Sequence, residues 1–321
     1  NVRASAYAQL EVDAVTSKII LWGEARSGNF QLNRLDNQPV LNLTNGVLKP
    51  NENMFDWAPF YTGINYCNLI IEKGEQMIKS GIDPSFRSSD WRPIKAEMQA
   101  LRALYYFYLI RAYRDVPYVA KNINSDAQAL AAKVPVTPGI AILGDLIDTL
   151  EVAQNYASDN FGSTSDNKGR FTRRALRTLL ADMYLWRGAM LQNFHKKGLD
   201  SIANLTDVYA PDSAGTNVAK TVNGEVVNKA YTDALSKKCY NRARELAEQI
   251  IGVGKDAPVG TMMYDFLHEY ANNNTSVSDE VRNQKYPLYQ QQVKRATGNI
   301  TNEIHGHIFG AKISFESIFE L

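Results

Sequence analysis

The stretch Glu97-Met-Gln-Ala-Leu-Arg102-Ala103-Leu-Tyr-Tyr-Phe107-Tyr-Leu109 decides the fold class. Met98, Leu101, Tyr105, Tyr108 and Ala112 step by three and four, the spacing that lines one face of an α-helix. Small residues alternate with rings, so a neighbouring helix can approach through alanine while aromatic side chains wedge into its turns. The helix ends at Asp115-Val116-Pro117, because proline disfavours helical backbone at the residue before it.

Working outward, the same period recurs on both sides. Trp57, Tyr61, Ile64 and Asn68 form one stripe, with Phe60, Cys67 and Ile71 beside them. A third helix is predicted over 139–157, with Ile140, Leu143, Ile147 and Leu150 inward. A fourth starts after Lys168-Gly169-Arg170 with Thr172 as N-cap and buries Leu176, Leu179, Leu180, Met183, Tyr184 and Leu191. A fifth covers 240–251 and stops at Gly252 and Gly254. The opening stretch 7–22 reads as helix, and only the tail reads as strand, with Ile313, Phe315, Phe319 and Leu321 on one parity. Repeated helix pairs of this kind suit a tetratricopeptide-like scaffold, although the period is not a clean repeat. The fold class is therefore mostly α, an irregular helical-repeat scaffold with long loops and little β-structure. Three loops are long: 29–53, rich in Asn, Gly and Pro; 194–238; and 270–298.

Composition removes several function classes. The 321 residues carry 35 Lys+Arg against 34 Asp+Glu, a formal net charge of +1, without the basic excess of a nucleic-acid binder. The longest apolar run, near 104–110, is far short of the roughly 20 residues of a membrane-spanning helix. Cys67 and Cys239 are not a Cys-x-x-Cys pair and both fall among apolar helix positions, so they read as buried free thiols. No Gly-x-Ser-x-Gly elbow, His-Glu-x-x-His, P-loop or Gly-x-Gly-x-x-Gly is present. His305-Gly306-His307, with Glu303 at the same parity, reads as a solvated turn, with no fourth metal ligand evident. No catalytic residue, metal or cofactor is expected. The 17 Tyr, 12 Phe and 4 Trp, together with many Asn, suit sugars, whose C–H faces stack on rings while amides bond their hydroxyls.

Three stretches taken together resemble the SusD/RagB family. They are Trp57-Ala-Pro-Phe-Tyr61-Thr-Gly-Ile64-Asn65-Tyr-Cys-Asn68-Leu-Ile-Ile71; the Glu97–Leu109 stretch followed by Tyr113-Arg-Asp115-Val-Pro117; and Gly169-Arg170-Phe-Thr172…Leu180-Ala181-Asp-Met-Tyr184-Leu185. Ser314-Phe-Glu316-Ser-Ile318-Phe319-Glu320-Leu321 is similar to the family's Ser-x-Glu-x-Ile-Phe-Glu strand. Arg114 departs from the Gly usual before Asp-Val-Pro, so that turn is expected to differ, and Gly28 replaces a frequent acidic residue.

The resemblance implies a single SusD-like domain over 1–321, without the family's lipidated start and C-terminal part. It implies an outer-membrane, surface-exposed lipoprotein of Bacteroidetes that binds glycan and passes it to a SusC-like TonB-dependent transporter without catalysis. The only membrane attachment would be a lipid anchor absent from this chain. A peptide-binding RagB-type role and a helical-repeat protein scaffold are the alternatives. Most signature residues read as structural: Arg102 bridges helices or caps a carboxylate, Glu97 reaches a different neighbour, and Trp57 and Tyr61 pack in the core. Ligand contact is expected from the loop before the first signature helix, through Phe30, Arg34, Asn37, Asn42, Asn45, Asn51 and Asn53.

Overall fold

The structure, a computed structural model, describes residues 2–24, 37–193, 209–211, 217–219, 221–222, 225–226 and 229–251. The chain divides into two compact units, 1–149 with 202–218, and 150–201 with 219–321. The described residues are mostly helical. Their strands are two or three residues long and pair only in two-stranded ribbons.

The first unit is built around α4 (Ala58–Ser80) and α5 (Ser88–Tyr113), preceded by α1 (Val2–Glu11), α2 (Asp13–Glu24), α3 (Gln38–Thr44) and the 3-10 turn η1 (Asn53–Phe55). The predicted opening helix is thus two helices broken at Val12. α4 has Pro59 in its first turn and ends at Gly81, whose left-handed φ of 61° a side chain would strain. Beyond its predicted stripe, α5 is buried on most sides: Met98, Leu101, Tyr105, Tyr106 and Leu109 are fully enclosed. α4 and α5 run antiparallel through two flat spots. A Cβ at Gly63 would lie 2.2 Å from the Tyr105 ring, and one at Gly74 2.2 Å from the Trp91 ring. The wedge-and-hollow packing is present, with α4 glycines supplying the hollows. Tyr105 then reaches through to donate to the Ala6 carbonyl of α1 (2.9 Å).

Signature residues of α5 go where the sequence reading expects. Arg102 donates to Asn68 Oδ1 on α4 (2.9 Å), while buried Glu97 accepts from the Tyr7 hydroxyl (2.8 Å) and faces Arg3. Cys67 is buried and free, and burial pushes its thiol up to about 12, which keeps it a neutral core atom. After α5 come β1 (Val116–Pro117), α6 (Asp126–Ala132), β2 (Val136–Thr137) and α7 (Gly139–Ala153). β1 and β2 pair antiparallel, Val116 opposite Thr137. α7 ends four residues before the predicted 157, although turn hydrogen bonds continue to Ala157. Its residues Ile140, Leu143, Ile147 and Leu150 are buried as expected.

The second unit contains the end of α7, then α8 (Thr164–Gly169), α9 (Arg173–Gln192) and α10 (Lys229–Ile251). The remaining strands are β3 (Tyr209–Pro211) of the first unit, β4 (Asn217–Ala219) at the boundary, and β5 (Thr221–Val222) and β6 (Glu225–Val226) of the second. Thr172 caps α9, its side chain accepting from Ala175 N (3.3 Å). α10 begins eleven residues before the predicted 240, inside the stretch 194–238 read as loop. Its buried positions Thr232, Ser236, Cys239, Ala243 and Leu246 keep helical spacing, but the first two are polar and hide the stripe from a hydropathy reading. Gly188 of α9 receives the Tyr240 ring, and Ser236 Oγ donates to the Gly188 carbonyl (2.7 Å). The predicted stop at Gly252 and Gly254, the loop 270–298, the His305–His307 turn and the tail strand 313–321 lie outside the described residues.

Glu151 ties this unit together. It accepts from Arg242 Nε (2.7 Å) and Nη2 (2.9 Å), from the Tyr184 hydroxyl (2.8 Å) and from Gln154. Burial works against its charge, yet these donors outweigh it and hold the carboxyl below the usual glutamate range. A depressed carboxylate stabilises the fold above its unfolded pKa, and that contribution disappears as pH falls through the lower folded value. The stability difference between wild type and Glu151→Gln, measured by urea unfolding, should be constant down to about pH 5 and close below about pH 4. A difference that persists undiminished at about pH 3 would contradict this account of the network.

Candidate functional site

Tyr61, Asn65 and Asn68 follow one face of α4 at spacings of four and three, and all three reach the extended connector 117–123. Tyr61 donates to the Pro117 carbonyl (2.7 Å). Asn65 makes a two-way bond with Ile123, donating to its carbonyl (2.9 Å) and accepting from its N–H (2.8 Å). Asn68 donates to the carbonyls of Val119 (3.0 Å) and Lys121 (3.2 Å) while accepting from Arg102. From α5, the Tyr106 hydroxyl accepts from Val119 N (2.7 Å) and donates to its carbonyl (3.1 Å). The connector has no partner strand over 118–124, so these side chains complete its backbone bonding. Each bond contributes about 1 kcal/mol, and leaving such a group buried and unpaired costs about 1–3 kcal/mol. Burial, with the nearby Tyr106, raises the Tyr61 phenol well above its ordinary value, so it stays a donor at neutral pH.

A ring cluster closes the N-terminal end of α4. Trp22 of α2 stacks on Phe60 (centroids 4.9 Å) and meets Tyr113 edge-on (5.4 Å). Its indole N–H donates to the Met54 carbonyl (2.9 Å), and the Tyr113 hydroxyl donates to the Phe55 carbonyl (2.6 Å). Trp57 completes the cluster, edge-on to Tyr113 (5.1 Å) and Tyr61 (6.1 Å). It is not a core residue as predicted, for 36% of it is exposed. The N-cap position explains this: the chain turns there, and only one side of the indole has helix to pack against.

The stretch 29–53 is not wholly loop. Asn37 caps α3, its Oδ1 accepting from Val40 N (3.3 Å), and Pro39 supports the first turn. Val40 and Leu43 pack with Met54 against Leu21 and Phe55. This helix turns Asn42 inward: it is 8% exposed, accepts from Gln38 (2.8 Å) and donates to Glu52 (3.3 Å). Asn42 is therefore a structural amide here, and the expectation that it faces ligand from a loop is corrected. Asn45 is the exposed C-cap of α3, and Asn51 and Asn53 are exposed around the start of η1. Phe30, Arg34 and Gly28 lie outside the described residues. The ring that sequence reading missed as a surface group is Trp57, and its place at the mouth of a helix, before Ala-Pro, was the available signal.

The turn after α5 does differ as its sequence suggests. Arg114 has φ 66° and ψ −66°, and Asp115 N bonds back to the Tyr113 carbonyl (2.8 Å), a γ-turn centred on a non-glycine residue. Arg114 pairs with Asp115 Oδ2, while Oδ1 accepts from Gly139 N (3.1 Å). A Cβ at Gly139 would lie 2.1 Å from the Arg114 carbonyl, so the start of α7 is pressed against this turn.

No model of a known protein family matches the chain. A curated SusD-like protein from Bacteroides ovatus is 28% identical over 134 residues, 41% of this chain. Over those 134 residues the chain is similar to a SusD-like protein. It spans 22% of the length of that SusD-like relative. Among solved structures, a SusD superfamily protein from Bacteroides thetaiotaomicron matches at TM-score 0.49 and 20% identity, over 60% of this chain and 44% of that one. Surface glycan-binding protein A from Bacteroides uniformis matches at TM-score 0.49 and 19% identity, over 63% and 45%. A laminarin-binding SusD-like protein matches at 0.43 and 22%, over 60% and 43%. The chain thus covers less than half the length of each of these solved chains.

The arginine at the γ-turn stores backbone strain of about 1–3 kcal/mol, against about 0.2–1 kcal/mol returned by its exposed ion pair. Arg114→Gly should therefore raise the urea midpoint, by up to about 1 kcal/mol in stability after the entropic cost of glycine. A lowered midpoint would show that the Arg114–Asp115 pair, not relief of strain, dominates this turn.

Proposed function

We propose that this chain belongs to a cell-surface protein that captures a glycan and hands it to a SusC-like TonB-dependent transporter of the outer membrane, without chemistry of its own. In this reading residues 1–321 act as one SusD-like domain. The observation that carries the proposal is Trp57. Its indole is braced edge-on by Tyr61 and Tyr113 yet 36% exposed, and the exposed amides of Asn45, Asn51 and Asn53 precede it in the chain. A fixed ring and exposed amides are the groups that stack a sugar face and bond its hydroxyls. Phe30 and Arg34 are further ligand candidates from the same stretch of sequence. Asn37 contributes through its cap, whereas the signature side chains Asn65, Asn68 and Arg102 are occupied in holding the scaffold.

Affinity electrophoresis of the purified chain against a panel of polysaccharides tests this. At least one glycan should retard it, and Trp57→Ala should weaken that binding about tenfold or more without altering the helical circular dichroism. Binding to peptides with no retardation by any glycan would transfer the chain to the RagB-type reading. A pull-down yielding a stable partner other than a porin-like transporter would favour a protein scaffold.

A further inference from the structure

Arg173 and Arg177 sit one turn apart on α9, and Tyr184 continues the same face, opposite the end of α7. The carboxylates there are already taken. Glu151 holds Arg242 and Tyr184, Arg242 also reaches Glu245 (3.0 Å), and Asp159 accepts from Arg173 (2.7 Å). Arg173 is fully engaged, for its Nε and Nη2 donate to the carbonyls of Gln154 (3.0 Å) and Ala157 (2.9 Å).

Arg177 is different. Its Nε donates to Gln154 Oε1 (3.0 Å), and Gln154 is itself buried and anchored to Glu151. Its two terminal nitrogens have no protein acceptor among the described residues. Partial burial and then the charge of Arg173 hold its pKa below the ordinary guanidinium value. A half-buried cation with a fixed Nε and two unpaired parallel donors is arranged to take a carboxylate through both oxygens. Gln154 sets the plane of the fork, which distinguishes this arginine from one swinging freely in solvent.

We propose that Arg177, oriented by Gln154, is a docking point for a carboxylate group of a ligand, in the unit that does not contain Trp57. The site takes a small organic carboxylate, and it stands independently of the glycan reading built on the first unit.

The test follows the arginine Nε–Hε resonances of the full chain, labelled with 15N-arginine, during titration with sodium glucuronate. Glucose, and sodium chloride at matched ionic strength, are the controls. Glucuronate should shift one resonance to saturation while the controls do not. Arg177→Gln should remove that resonance and weaken glucuronate binding, measured by isothermal titration calorimetry, about tenfold or more. Arg177→Lys, which keeps the charge and loses the fork, should also weaken it. Equal binding by wild type and Arg177→Lys, or a shift that chloride reproduces, would overturn the site. An unshifted spectrum throughout the titration would overturn it as well.

Discussion

The first unit depends on a constraint of backbone bonding. The connector 117–123 runs beside α4 without a strand to pair with, and its peptide groups would be left short of partners. Three side chains of α4 and one of α5 take the place of a strand. Asn65 is the closest to a peptide surrogate, since its amide offers Ile123 both a donor and an acceptor. Asn68 is held in the correct orientation by Arg102, so the α5 guanidinium sets which end of that amide faces Val119 and Lys121. The order of these residues along α4 follows from the helical repeat, because positions 61, 65 and 68 share one face.

This arrangement explains which parts of the fold are legible in the sequence. Apolar stripes at helical spacing announced α4, α5, α7 and α9, and Thr172 announced its own cap. Arg102 as a bridge between helices and Glu97 as a separate contact also follow from their spacing of five. What hydropathy hides are polar residues used as core. Thr232 and Ser236 conceal the first half of α10, and Asn42 conceals the inward face of α3. The close approaches are hidden for another reason. Gly63, Gly74 and Gly188 acquire meaning only when the ring that fills each hollow is known, and those rings lie on other helices.

The candidate site was less legible than the fold. A row of asparagines before a helix reads as an open loop until a short helix gathers some of them inward. Asn37 and Asn42 become cap and core, leaving Asn45, Asn51 and Asn53 at the surface. Trp57 moves the other way, since a stripe counts it as core while its N-cap position leaves one side of the ring uncovered. Residues that hold the connector are engaged in intramolecular bonds, and in the proposed reading recognition falls to side chains whose bonding is unfinished. Trp57 in one unit and Arg177 in the other are of that kind.

Native-state hydrogen exchange of two backbone amides tests the connector directly. Val119 N–H is bonded to the Tyr106 hydroxyl and Ile123 N–H to the Asn65 side chain, in a segment without regular secondary structure. Both amides should exchange as slowly as those in the middle of α4, because releasing them requires α4, α5 and the connector to separate. Exchange at the rate of an unprotected peptide, with α4 itself still protected, would show that the side-chain ladder does not hold the connector.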